Sequence, residues 1–300
     1  MILFKYLLVL TFLLPGFYAM SQDKSTGKKG EEKVKKILWE DGVENAYPRW
    51  SSDGTKILYQ SNRTGNWQIY VMDKDGSNQK RITNDKYNNN FPDWSPDNNK
   101  IAFVSDREGN EDVYVMNMDG TGLINLSKNP ARDIHPYWAP DGKKLLFNSS
   151  RDDEDSFEIY EINVDGTGLK RLTNSKEVET CARFSPDETK IVYLKGTPGG
   201  NDDITVMDIH SKEEINLSKS ESNEGWPVWT PDGDKVIFSS RWYGNFDLFS
   251  IDSDGSNMKR ISFPESPYYD ARASVSPNGK EIVFNRQAEG TIGIFILKLE

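Results

Sequence analysis

Six side chains that end in oxygen stand at one repeated offset along the chain: Asn45, Asn89, Asp133, Glu179, Glu224 and Asp270, each three positions before a Pro or Ala. Gathered into a ring, such groups would offer hard oxygen ligands for Ca²⁺ or Mg²⁺, or would hold a cationic group of a partner. Spacing leaves open whether any ion is bound. A second series competes for the same oxygens. Arg63, Arg107 and Arg151 each lie four positions after an aromatic, Arg241 and Arg286 three and two after theirs, and Lys195 stands near the equivalent place. An Arg in most repeats suits a structural fork between blades, bidentate to a carboxylate.

Immediately before the same Pro or Ala the series reads Tyr47, Phe91, His135, Cys181, Trp226 and Arg272. A position this varied fits a binding surface, and it fits a tolerant solvent site equally well. Aromatics also gather late in the chain, at Trp226, Trp242, Tyr243, Phe246, Tyr268 and Tyr269. Trp and Tyr are common interface anchors and also stack on sugars, whereas Phe246 reads as strand core. Nucleophilic catalysis finds little support. The histidines are His135 and His210, no G-x-S-x-G elbow occurs, and Cys181, the single cysteine, reads as a small packing residue that excludes an internal disulfide.

The elements that must carry these residues repeat. An apolar or aromatic anchor two positions after the Pro or Ala recurs at Trp50, Trp94, Trp138, Phe184, Trp229 and Val275, 44 to 46 residues apart. A fixed period of this length marks stacked modules that share one core. Within each, Pro-Asp turn chemistry follows the anchor, two β-branched or aromatic runs come next, and an Asp-Gly hairpin leads to a last short segment such as Lys80-Arg81-Ile82-Thr83. Four antiparallel strands per module, six times over, predict an all-β, six-bladed β-propeller. Only five copies of the last strand follow their modules, so the N-terminal run Val34 to Trp39 is expected to complete the sixth blade and close the ring. The fourth repeat departs most, with Phe184, Glu188, a loop through Thr197-Pro198-Gly199, and His210-Ser211 in place of a turn.

Residues 1–21 read as an export signal: Lys5, an apolar run from Tyr6 to Leu14, then Pro15-Gly16 and small residues at Ala19 and Ser21. The run is shorter than the roughly 20 residues a bilayer crossing needs, so removal before Gln22 is expected, leaving no transmembrane segment. Residues 22–33 are a charged, flexible tether, and 34–300 form the propeller. A net charge of -10 argues against nucleic acid as a partner.

Pro92-Asp93-Trp94-Ser95-Pro96-Asp97, Pro136-Tyr137-Trp138-Ala139-Pro140-Asp141-Gly142 and Pro227-Val228-Trp229-Thr230-Pro231-Asp232-Gly233 resemble the WD40-like repeat of TolB-type β-propellers. The resemblance spans residues 34 to 300 and implies a propeller of the periplasm or cell exterior, with protein binding as the best-known activity. The expected role is a non-catalytic, monomeric interaction module for an envelope or secreted protein. Its channel-mouth loops would bind through Asp133, His135, Glu179, Glu224, Trp226, Trp242, Tyr243, Asp270 and Arg272. No cofactor is expected beyond Ca²⁺ or Mg²⁺ at that mouth. The alternative is a carbohydrate-active lyase or hydrolase using Asp133, Glu179, Glu224 or Asp270 as acid or base, although propeller lyases of this likeness depend on histidine-bearing metal sites.

Overall fold

The computed structural model describes residues 33–299 apart from 155, 197–199 and 266. The expected export signal, nearly all of the expected tether and Thr197-Pro198-Gly199 lie outside the described residues. Among the described residues twenty-four strands make six four-stranded antiparallel sheets, arranged as the blades of a propeller. The innermost strands are Asn45–Trp50, Asn89–Trp94, Asp133–Trp138, Val178–Phe184, Glu224–Trp229 and Tyr269–Val275. Each turns back into a second strand: Lys56–Thr64, Lys100–Ser105, Lys144–Ser149, Lys190–Gly196, Lys235–Tyr243 and Glu281–Ala288.

The turn between them explains the recurrent Ser-Pro-Asp. In blade 2 the Ser95 hydroxyl donates to Asp97 Oδ1 at 2.6 Å and accepts from Lys100 N at 2.8 Å, while Asn99 N donates to Asp97 Oδ1 at 3.0 Å. The reversal needs a left-handed residue, supplied by Gly142 and Gly233 in blades 3 and 5 and by Glu188 (φ 59) in blade 4. The divergent fourth repeat therefore keeps the turn geometry without the glycine.

Blade 6 is completed by Val34–Leu38, which runs antiparallel to Thr291–Lys298 with Val34 opposite Leu297 and Lys36 opposite Phe295. The first and last parts of the ring thus share one sheet, and no unpaired edge is left between them.

The core lies between the blades. Each anchor packs on the preceding blade: Trp50 among Val283, Ile294 and Ile296, Trp94 among Leu58, Ile69 and Val71, and Trp229 among Val192, Leu194 and Ile204. Two of these indoles also donate across the interface, Trp94 Nε1 to the Arg49 carbonyl at 3.2 Å and Trp229 Nε1 to the Arg183 carbonyl at 3.3 Å. Among the described residues no helix is long and apolar enough to cross a membrane.

Candidate functional site in the central channel and its loop face

In every blade the pairing of the innermost strand slips ahead of the anchor, between Ala46 and Arg49 in blade 1, Asn90 and Asp93 in blade 2, and likewise round the ring. The residue inside each slip is left-handed: Tyr47 (φ 53), Phe91 (φ 52), His135 (φ 54), Cys181 (φ 58), Trp226 (φ 51) and Arg272 (φ 58). Backbone of this kind costs on the order of 1–3 kcal/mol for a large side chain, so neighbours must hold it. In three blades the strained amide is latched by the blade before it. Tyr47 N donates to Asn285 Oδ1 at 3.0 Å, Phe91 N to Gln60 Oε1 at 2.7 Å and Cys181 N to Asn148 Oδ1 at 3.0 Å.

The bulge turns these six side chains onto the channel axis. Tyr47 of blade 1 and His135 of blade 3 have ring centroids 6.2 Å apart although blade 2 lies between them, and Phe91 fills the gap at 4.8 and 4.4 Å from the two. His135 Nδ1 lies 3.6 Å from Cys181 Sγ. Arg272 closes the circle, its guanidinium 4.5 Å from the Trp226 ring and 4.7 Å from Tyr47. His135, Trp226 and Arg272 are therefore brought together, in a plug across the channel.

Burial governs the chemistry of that plug. It pushes the Cys181 thiol up to about 11. It pushes His135 down to about 3, helped by the positive charge of Arg49, Arg272 and Arg183. Neither a thiolate nor an imidazolium forms near neutral pH, so the pair is packing with a weak sulfur–nitrogen contact.

The oxygen series lies deeper in each blade and does not gather at the mouth. All six residues are buried, and each is engaged beside its own second strand. Arg63 Nη2 donates to Asn45 Oδ1 at 2.8 Å, Arg107 Nη2 to Asn89 Oδ1 at 2.9 Å, and Arg151 Nη2 to both Asp133 oxygens at 3.2 and 3.1 Å. Arg286 grips Asp270 with Nε at 2.8 Å and Nη2 at 3.0 Å, and Lys195 Nζ lies 3.4 Å from Glu179. Glu224 has hydroxyl partners, Ser220 at 2.9 Å and Ser240 at 3.0 Å, while Arg241 lies over the Phe246 ring. The arginine fork closes chiefly within a blade. Burial raises Asp133 and Glu224, and burial with the neighbouring Glu158 carboxylate raises Glu179 to about 7. Among the described residues no three of His, Cys, Asp and Glu are grouped as metal ligands would be.

Trp242 and Tyr243 sit at the tip of the second-to-third strand hairpin of blade 5 and are 44% and 43% exposed, unlike the half-buried Trp226. The hairpin is a firm mount: Tyr243 stacks on Phe249 at 6.2 Å, and Arg260 lies 4.7 Å over its outer side. Tyr268, 37% exposed, packs edge-on against Trp39 of blade 6.

A second layer of channel residues escapes sequence reasoning. One position before each anchor stand Arg49, Asp93, Tyr137, Arg183, Val228 and Ser274. Arg49 of blade 1 donates to the Tyr137 hydroxyl of blade 3 at 3.2 Å, so this layer also meets across the axis. Its signal was charge recurring one position before the anchor, at Arg49, Asp93 and Arg183.

A family model described as the TolB beta propeller domain matches residues 79–199 and 197–300. Among solved structures, TolB from Acinetobacter baumannii is similar at 25% identity with a TM-score of 0.63, over 71% of this chain and 53% of that one, so the chain spans about half of that relative's length. A putative TolB from Agrobacterium tumefaciens is similar at 20% identity and TM-score 0.68, over 89% of this chain and 97% of that one. An oligogalacturonate lyase in complex with manganese shares the fold at 14% identity and TM-score 0.59, over 89% and 93% of the two chains. Six blades, a repeated Trp anchor and a family match over most of the described length together show that this chain belongs to the TolB-type β-propeller family.

Proposed function

We propose that this protein is an exported TolB-like propeller that binds another envelope or secreted protein through its loop face and catalyses no reaction. The observation that carries the reading is the exposed pair Trp242 and Tyr243, held on a stiff hairpin of blade 5. Large aromatics exposed on a rigid mount give contact area at small cost in side-chain entropy, as interface anchors do. The non-catalytic part is supported by the channel pair His135 and Cys181, which burial keeps uncharged, and by a carboxylate series already engaged inside the blades.

Two measurements test it. Fractionation of the producing cells should recover the protein in the periplasm or medium, and retention in the cytoplasm would contradict export. Co-purification with the parent and with a Trp242→Ser, Tyr243→Ser variant of unchanged melting temperature should yield a protein partner held by the parent alone.

A further inference from the structure

At the channel end opposite the loop face, where the innermost strands turn into the second strands, blades 2 to 5 line an open cleft of about 300 Å³. Its walls include Trp94, Trp138, Phe184 and Trp229, and Tyr137 and Arg183 reach it from the axial layer. This volume is at the lower end of the roughly 300–1,000 Å³ typical of small-molecule sites.

The charges around it do not balance. The Arg183 guanidinium lies over the Tyr137 ring, 3.9 Å from its centroid, and its side chain has no hydrogen-bond or ion-pair partner among the described residues. Arg49, 3% exposed, spends Nη1 on the Pro48 carbonyl at 3.0 Å and Nη2 on the Tyr137 hydroxyl at 3.2 Å. Its Nε finds no hydrogen-bond acceptor among the described residues and stands 3.7 Å from Asp93. Among the described residues Asp93 is the one carboxylate facing both guanidiniums, and its other oxygen accepts from Trp138 N at 3.0 Å. Trp138 Nε1 is a further buried donor with no partner among the described residues.

Two guanidinium groups against one carboxylate leave an excess positive charge in a part-desolvated, aromatic cleft. Such a charge is costly alone and is relieved by an anion that can reach it. Arg presents a planar fork matched to a carboxylate, and the aromatic walls match a flat apolar body. We propose that this cleft binds a small organic acid, its carboxylate on Arg183 and its ring against Trp138, Phe184 and Trp229. The proposal is independent of the partner-binding reading, because the cleft and the Trp242 hairpin lie at opposite ends of the channel.

The test is isothermal titration of the purified protein, in a buffer without carboxylates, with benzoate and with benzamide, which has the same ring and no charge. Benzoate is expected to saturate one site and to bind at least about tenfold more tightly than benzamide, the scale of a charge-assisted hydrogen bond. Arg183→Met should weaken benzoate by at least that factor, Arg183→Lys by less, and Trp242→Ala not at all. Equal affinity for the two ligands, no saturation by benzoate, or undiminished benzoate binding by an Arg183→Met protein with the parental melting temperature would overturn the proposal. The comparison of the two ligands needs only the parent, so it decides the matter even if the variant does not fold.

Discussion

His135 of blade 3 and Cys181 of blade 4 meet on the channel axis with Nδ1 3.6 Å from Sγ, and both are uncharged there. The contact has the composition of a catalytic thiol–imidazole pair, but burial drives each group away from its reactive form. Cys181 is 3% exposed and its thiol is pushed up to about 11. A thiol reagent such as Ellman's should therefore not label the native protein at pH 8, and labelling should follow the unfolding curve. Rapid labelling of folded protein would show an accessible, activated thiol.

Trp94 tests what holds neighbouring blades together. It is 8% exposed, packs on Leu58, Ile69 and Val71 of blade 1, and donates Nε1 to the Arg49 carbonyl. Trp94→Ala should cost about 3–5 kcal/mol in urea unfolding. Trp94→Phe keeps most of the apolar contact and should cost nearer about 1 kcal/mol, chiefly the lost hydrogen bond.

The arginine series has its own test in blade 3. Asp133 is fully buried against Arg151, so Arg151→Met should destabilise by about 3 kcal/mol, leaving a buried carboxylate without its partner. Adding Asp133→Asn to Arg151→Met should recover part of the loss. A purely solvent-exposed pair would show neither effect.

Glu179 and Asp247 give a pH dependence of defined sign. Burial raises Glu179 to about 7 and Asp247 to about 6, each above its ordinary carboxylate value. The folded protein thus holds protons that the unfolded chain has released. Their contribution to stability is fully present below the ordinary carboxylate range and is lost as pH rises through about 6 to 7. Because buried His135 pulls the other way over the lower part of this range, the measurement is the difference between parent and Glu179→Gln: the parent's melting temperature should fall relative to the variant's from pH 5 to pH 8. A parent-minus-variant difference that stays constant or climbs from pH 5 to pH 8 would contradict the raised value of Glu179.

Much of this arrangement was legible in the residues. The spacing of Trp50, Trp94 and Trp138, the Pro-Asp turns and the count of outer strands led to six blades and to closure by Val34–Leu38. What the residues did not disclose was the bulge. Left-handed backbone usually announces itself by Gly or Asn, whereas here it falls on Tyr47, Phe91, His135, Cys181, Trp226 and Arg272, held by tertiary latches such as Gln60 on Phe91 N. The bulge changes which side chains reach the axis. The repeated offset suggested a ring of the oxygen-ended series at the channel mouth; the slip in register leaves Asp133 and Asp270 beside their arginines and sends the next-but-one residue inward. Arg49 and Arg183 were overlooked for the same reason, since an inward position beside the anchor Trp is visible only once the register is known.

The central claim, partner binding at the loop face, is tested most directly by photocrosslinking in the producing cells. A benzophenone amino acid would replace Trp242 in one strain and Asn278, in an exposed turn of blade 6 at the opposite face, in another. The account predicts a discrete crosslinked protein from position 242 and none from position 278. A product from 278 alone, or equal products from both, would contradict it.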